Sequence, residues 1–296
     1  MGAKSKEPST KQNATPSRHP LCVGFDPDTS DLHPFLQKQF TSTPLESFLV
    51  RRYESTISKI TKSAHSIKLQ SAFFEQFGPA GMIALRDITI DVKRRGLYLI
   101  LDAKRGDISS TMAAYGRMAF DQMQADALTI LPWMGTDSLT ALLPWLKEGK
   151  RVYIVWLSSN KSGRELQMVE TSKKGRPIAL TVFDQFLKAA KKNNVEKQIG
   201  WVLGATDIPK EILKKLPKGP QHFLLPGIGA QGANFGAHTK SLLKQHPESL
   251  FPISRGILKP TPQDRIENWE DYSLAVATKW QSFIQQWEES EVSSQK

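Results

Sequence analysis

Short apolar runs alternate along this chain with longer stretches in which apolar positions recur every three or four residues. The runs are Leu21–Asp26 (LCVGFD), Ser66–Gln70 (SIKLQ), Leu97–Lys104 (LYLILDAK), Ala127–Pro132 (ALTILP), Val152–Ser159 (VYIVWLSS), Ile199–Thr206 (IGWVLGAT), His222–Gly227 (HFLLPG) and Phe251–Leu258 (FPISRGIL). Near-continuous apolar runs of this length fit strands covered on both faces. The intervening segments carry helix starts, as at Thr43-Pro44 and Thr136-Asp137-Ser138. In Pro177–Ala190, the residues Ile178, Val182, Phe186 and Ala190 share one helical face. Eight strand–helix units within about 240 residues predict an α/β fold of one domain, a parallel sheet closed into a (β/α)8 TIM barrel. A doubly wound open sheet is the runner-up. Residues 1–18 read as a disordered basic tail, 19–286 as the barrel and 287–296 as a polar C-terminal tail.

A barrel gathers its functional groups at the C-terminal ends of its strands, where the βα loops meet. Polar and charged residues fall at those ends here: Asp26, Lys68, Asp102, Lys104, Ser158, Gln231 and Arg255. The richest segment is Leu99–Thr111, LILDAKRGDISST, in which an apolar strand runs into Asp102, Lys104 and Asp107. Residues two apart on a strand share a face, so Asp102 and Lys104 point the same way. Lys68, ending the neighbouring strand, completes a quartet of two cations and two anions whose alternating signs make burial tolerable. The bland alternative is a structural ion pair at the barrel mouth. Gly227–Gly232 matches G-x-G-x-x-G, yet it falls late in the chain and no acid follows near 20 residues on. Phosphate binding by a loop late in a barrel fits it better than a dinucleotide. Arg255, flanked by apolar residues, offers the planar fork that suits phosphate.

The formal charge of +11 raises nucleic acid as a partner. The excess is concentrated in 151–198, with ten Lys or Arg against four acids, and in the first 18 residues. No aromatic interleaving or known nucleic-acid motif accompanies it, so a solvated basic face is expected. No apolar run approaches the ~20 residues that span a bilayer, and no secretory, myristoyl or transit pattern opens the chain. One cysteine, Cys22, lies inside an apolar run and reads as a buried hydrophobe in a reducing, cytoplasmic protein. The six histidines are scattered without metal-ligand spacing, and the seven tryptophans, Trp133, Trp145 and Trp201 among them, read as packing.

The segment D-A-K-R-G-D-I at Asp102–Ile108 resembles the D-x-K-x-x-D-I signature of the orotidine 5′-phosphate decarboxylases. LCVGFDPD, KLQSAFFEQFGPAG, VLGAT and PGIGAQG are similar to the second of that family's two main sequence subfamilies, so the resemblance runs from about Leu21 to Leu258. It implies a (β/α)8 barrel that decarboxylates orotidine 5′-monophosphate to UMP in de novo pyrimidine biosynthesis with no cofactor, as a homodimer with shared active sites. By position it implies the proton donor at Lys104, the partner carboxylate at Asp102 and the first lysine at Lys68. It implies that Asp107, with Thr111, comes from the neighbouring subunit. It sets the ribose against Asp26, the phosphate against Gln231 and Arg255, and the base against Ser158 or Ser159. The loop S-S-N-K-S-G departs from the Ser-Asn-Pro of the subfamily, which bears on base contacts rather than on the reaction. The alternative is a Mg²⁺-dependent aldolase similar to hexulose-phosphate synthase, which shares D-x-K; the R-G-D-I-S-S-T continuation speaks for the decarboxylase.

Overall fold

The structure, a computed structural model, describes residues 20–30, 32–171, 175–204, 221–227, 237–261 and 263–292, with a few isolated positions between 208 and 216. Eight parallel strands form one sheet: β1 (Leu21–Phe25), β2 (Ser66–Gln70), β3 (Tyr98–Arg105), β4 (Ala127–Ile130), β5 (Arg151–Leu157), β6 (Ile199–Leu203), β7 (His222–Leu224) and β8 (Phe251–Ile253). Their spatial order is β8-β1-β2-β3-β4-β5-β6-β7. The ends of this row meet through a parallel bridge between Leu224 and Leu250. There the Leu250 N–H donates to Phe223 O at 2.7 Å and the Leu225 N–H to Leu250 O at 2.8 Å. The sheet is therefore a (β/α)8 barrel, as the pattern of apolar runs predicts.

The main helices are α1 (Pro34–Ser42), α2 (Leu45–Ile60), α3 (Gly78–Arg94), α4 (Ser109–Gly116), α5 (Lys161–Gln167), α6 (Ile178–Lys192), α7 (Ala237–Gln245) and α8 (Trp269–Val292). Each long helix buries one stripe against the barrel; in α2 it is Phe48, Leu49, Arg52, Tyr53, Thr56, Ile57 and Ile60. This spacing of three and four is what a helix lying on a sheet requires. Among the described residues no helix is long and apolar enough to cross a membrane.

Strand parity then decides what faces inward. Leu21, Val23, Ile67, Leu69, Leu99 and Leu101 pack against the helices. Cys22, Tyr98, Ile100, Ala127, Tyr153, Val202 and Leu224 form a separate apolar cluster, which fills the barrel lumen. Successive side chains on a strand alternate between faces. The parity that puts Tyr98 and Ile100 inside therefore puts Asp102 inside too, one layer nearer the C-terminal end. Gly24 pairs with Lys68 and Gln70 with Asp102 in the parallel register, so the charged residues share adjacent layers.

Four sequence expectations are corrected. The last strand stops at Ile253, and Arg255 opens a helical turn, Arg255–Leu258, instead of closing the strand. The buried stripe of α6 is Ala179, Leu180, Phe183, Phe186 and Ala190; Ile178 and Val182 sit at its half-buried margin. The polar C-terminal tail expected from 287 does not begin there, because α8 continues to Val292 and Trp287 is buried. Trp133 is not a packing residue: it is 57% exposed, whereas Trp201 is buried and stacked on Phe183 at 4.1 Å. The N-terminal segment 1–18 lies outside the described residues.

Candidate active site

At the C-terminal ends of the strands the lumen opens into a cavity of about 350 Å³, lined by Asp26, Lys68, Gln70, Asp102, Lys104, Ser158, Ser159 and Arg255 together with Asn160, Pro226, Gly227 and Ser254. That volume falls in the range of small-molecule sites. Its floor is a chain of alternating charge. Lys68 Nζ lies 3.6 Å from Asp26 Oδ1 and 3.0 Å from Asp102 Oδ2, and Lys104 Nζ lies 2.7 Å from Asp102 Oδ1.

Asp102 is the hub. Its side chain is only 9% exposed, yet it accepts hydrogen bonds from Lys68, from Gln70 Nε2 at 3.2 Å, from Lys104 and from Thr129 Oγ1 at 2.9 Å. Burial alone would raise its pKa, but Lys68 and then Lys104 outweigh that and hold the carboxyl well below the usual range. Burial likewise opposes the charge on Lys68, and Asp102 with Asp26 overcomes it, so Lys68 stays a cation beyond the ordinary lysine range. A group of fixed charges, prepaired and largely shielded from water, stabilises charge that develops beside it with little reorganisation.

Lys104 has its backbone in the left-handed region, at φ +46°. Such a conformation is uncommon for a residue with a Cβ and concentrates at functional sites, at a cost on the order of 1–3 kcal/mol. Here the register of β3 against β4 shifts between Leu101 and Arg105, and the Lys104 N–H donates to Thr129 Oγ1 at 2.9 Å. Thr129 thus holds both ends of the arrangement, the Asp102 carboxylate and the Lys104 backbone. The Lys104 side chain, 42% exposed, reaches the cavity as the wettest member of the chain.

The structure brings together Asp26, Lys68, Asp102, Lys104, Ser158, Ser159 and Arg255. Asp107 and Thr111 are not among the residues lining the cavity: the Asp107 carboxylate accepts the N–H of Ile108 at 2.8 Å, and Thr111 is exposed on α4. Gln231 lies outside the described residues, as does most of the glycine-rich segment containing it. Cys22, in the lumen below, is fully buried, and burial pushes its thiol up to about 12, which leaves it an inert apolar group. Sequence reasoning misses Gln70 and Thr129. The available signal was parity: Gln70 follows Lys68 by two, and Thr129 follows the lumen residue Ala127 by two on the strand beside Asp102.

The fold and the site together define a TIM-barrel enzyme with a charged pocket at the C-terminal mouth. The model of the orotidine 5′-phosphate decarboxylase / HUMPS family matches residues 19–271, and the chain belongs to that family. It is 32% identical over 265 residues to an orotidine 5′-phosphate decarboxylase of Bacteroides fragilis, covering 88% of this chain and 90% of that one. It is 34% identical over 253 residues to the enzyme of that name from Dehalococcoides mccartyi, covering 84% and 86%. Among solved structures, a putative orotidine 5′-phosphate decarboxylase from Streptomyces avermitilis superposes with a TM-score of 0.66 at 31% identity, covering 88% and 89%. The UMP synthase of Leishmania donovani superposes with a TM-score of 0.64 at 29% identity; 89% of this chain is covered, and it spans 53% of that longer chain.

Proposed function

We propose that this chain decarboxylates orotidine 5′-monophosphate to UMP and CO2 in pyrimidine biosynthesis, with Lys104 as the proton donor. The observation that carries the reading is the alternating row Asp26–Lys68–Asp102–Lys104 on the floor of a nucleotide-sized cavity that also holds Arg255. When the bond from C6 to the carboxylate breaks, CO2 leaves and the electron pair stays on C6 in an orbital the ring delocalises poorly. The Lys104 ammonium stabilises that pair by its charge and then donates a proton to it, forming UMP; the lysine regains its proton from solvent. Asp102 aims Lys104 through their 2.7 Å contact, and Lys68 balances the buried carboxylates. Asp26 faces the ribose, Ser158 or Ser159 the pyrimidine, and Arg255 the phosphate together with Gln231. Binding energy from the remote phosphate then serves to align the reacting ring.

Asp107 and Thr111 belong, in this reading, to the site of a second copy in a homodimer. Support comes from the surface around them. Asp107 lies outside its own chain's cavity, beside Ile108, which is 44% exposed. The next loop carries the exposed Trp133 and Met134, and the two loops touch where the Leu131 N–H donates to Arg105 O at 2.7 Å. Large apolar side chains exposed together mark an association surface. The buried cysteine accords with a cytoplasmic enzyme, and the basic surface is read as solvated with no nucleic-acid partner.

The test is direct. Purified protein mixed with orotidine 5′-monophosphate in excess EDTA should deplete the absorbance of the orotidine ring and yield UMP. No loss of that absorbance with Mg²⁺ absent or present, together with Mg²⁺-dependent aldol cleavage of a hexulose phosphate, would move the chain to the aldolase branch.

A further inference from the structure

The wall of the cavity beyond β5 is Ser158–Asn160, and α5 follows at once. Three hydrogen bonds run between α5 and Ser158. The Ser158 N–H and its Oγ both meet Gln167 Oε1, at 2.9 and 3.2 Å, and the Ser158 carbonyl accepts from Arg164 Nε at 3.1 Å. A backbone N–H can only donate, so the Gln167 atom facing it must be the amide oxygen, which settles the orientation of the amide. A hydroxyl beside that same oxygen must then donate to it as well. The single proton of the Ser158 hydroxyl is committed to Gln167, and lone pairs are what Oγ has left to offer. The packing leaves the hydroxyl in place only because residue 163 is glycine: a Cβ there would lie 2.3 Å from Ser158 Oγ.

We propose that Gln167 is a specificity-determining positioning residue, which turns Ser158 into an obligate hydrogen-bond acceptor facing the base. This rests on reading the cavity as a pyrimidine-nucleotide site and Ser158, of the two serines lining it, as the one that meets the base. An acceptor there matches the N3–H of uracil and opposes the bare N3 of cytosine, which needs a donor. A free serine hydroxyl could rotate and satisfy either edge, and the proton's commitment to Gln167 removes that choice.

The affinities of UMP and CMP for the full chain, measured by titration calorimetry with competitive displacement for the weaker ligand, test the idea in the wild type, Gln167→Ala and Gln167→Glu. Gln167 is half-buried, and retained UMP binding reports that each variant is folded. The alanine variant should bind CMP better relative to UMP, lowering the UMP:CMP preference at least about fivefold, as expected when a forced mismatch at one buried polar contact is relieved. The glutamate variant keeps an acceptor oxygen and should keep the preference. Equal weakening of both nucleotides in Gln167→Ala, CMP binding that stays undetected there, or an equal loss of preference in Gln167→Glu overturns the proposal. A wild type that fails to bind UMP overturns instead the reading on which it rests.

Discussion

Asp102→Asn isolates the electrostatics of the site from its shape. The amide is nearly isosteric with the carboxylate, and Asp102 is 6% exposed, so the change removes one buried negative charge while leaving the space filled. Lys68, also 6% exposed, would lose its partner at 3.0 Å and keep only Asp26 at 3.6 Å. Removing one member of a buried ion pair costs about 3–5 kcal/mol because the other charge is left uncompensated. The surviving Asp26 puts this case near the lower end, at about 3 kcal/mol. The sign of the pH dependence follows. In the wild type the Lys68 pKa is raised, so its contribution is fully present below the unfolded value of about 10.4 and is lost as pH rises through the folded one. In Asp102→Asn, burial dominates and the folded value drops below 10.4, so Lys68 penalises folding at neutral pH and the penalty fades as pH rises toward 10. Asp102 itself, with its pKa lowered, contributes above its unfolded value of about 3.9, and that contribution is lost as pH falls toward the folded value. Urea unfolding of both proteins at pH 7 and at pH 10 is the assay. The deficit of the variant should be largest at pH 7 and clearly smaller at pH 10. A deficit below about 1 kcal/mol, or one that does not change with pH, would refute a stabilising role for the buried charge row.

Two further outcomes are expected. Arg255→Ala should raise KM for orotidine 5′-monophosphate and weaken UMP by about 2–4 kcal/mol, the scale of a charge-assisted phosphate contact, with a smaller change in the affinity for uridine; an unchanged KM removes Arg255 from the phosphate site. Lys104→Ala and Asp107→Ala, each inactive alone, should regain about a quarter of wild-type activity when mixed and allowed to exchange subunits. Half of the dimers then carry one intact site built from both copies. No recovery, with exchange verified, contradicts shared sites.

Much of the barrel was legible because its strands are buried on both faces and so stand out as apolar runs: β2 is predicted at Ser66–Gln70 and found there. The ends were less so. In Phe251–Leu258 the apolar character continues through Ile257 and Leu258, but those side chains are buried from a helical turn, which hydrophobicity alone does not distinguish from a strand. The end of α8 was misjudged for the opposite reason, since Glu288 and Glu289 hide the spacing that links Trp280, Ile284 and Trp287 on one buried stripe. At the site, charged residues on strands announced themselves because charge inside a barrel needs a reason. Thr129 did not, because a β-branched residue is ordinary on a strand, and nothing in its identity tells that its hydroxyl bridges Asp102 and the Lys104 backbone. The left-handed backbone of Lys104 was equally invisible, since no glycine marks it.

The central claim is that the Lys104 ammonium both steadies the carbanion and quenches it. Steady-state turnover of orotidine 5′-monophosphate by Lys104→Ala, measured beside the variant's affinity for UMP, tests that claim most directly. The account predicts a fall in kcat of at least ~10³-fold with UMP still bound, because proton donation and charge stabilisation vanish together while the contacts to ribose and phosphate remain. A variant that decarboxylates at the wild-type rate would contradict it.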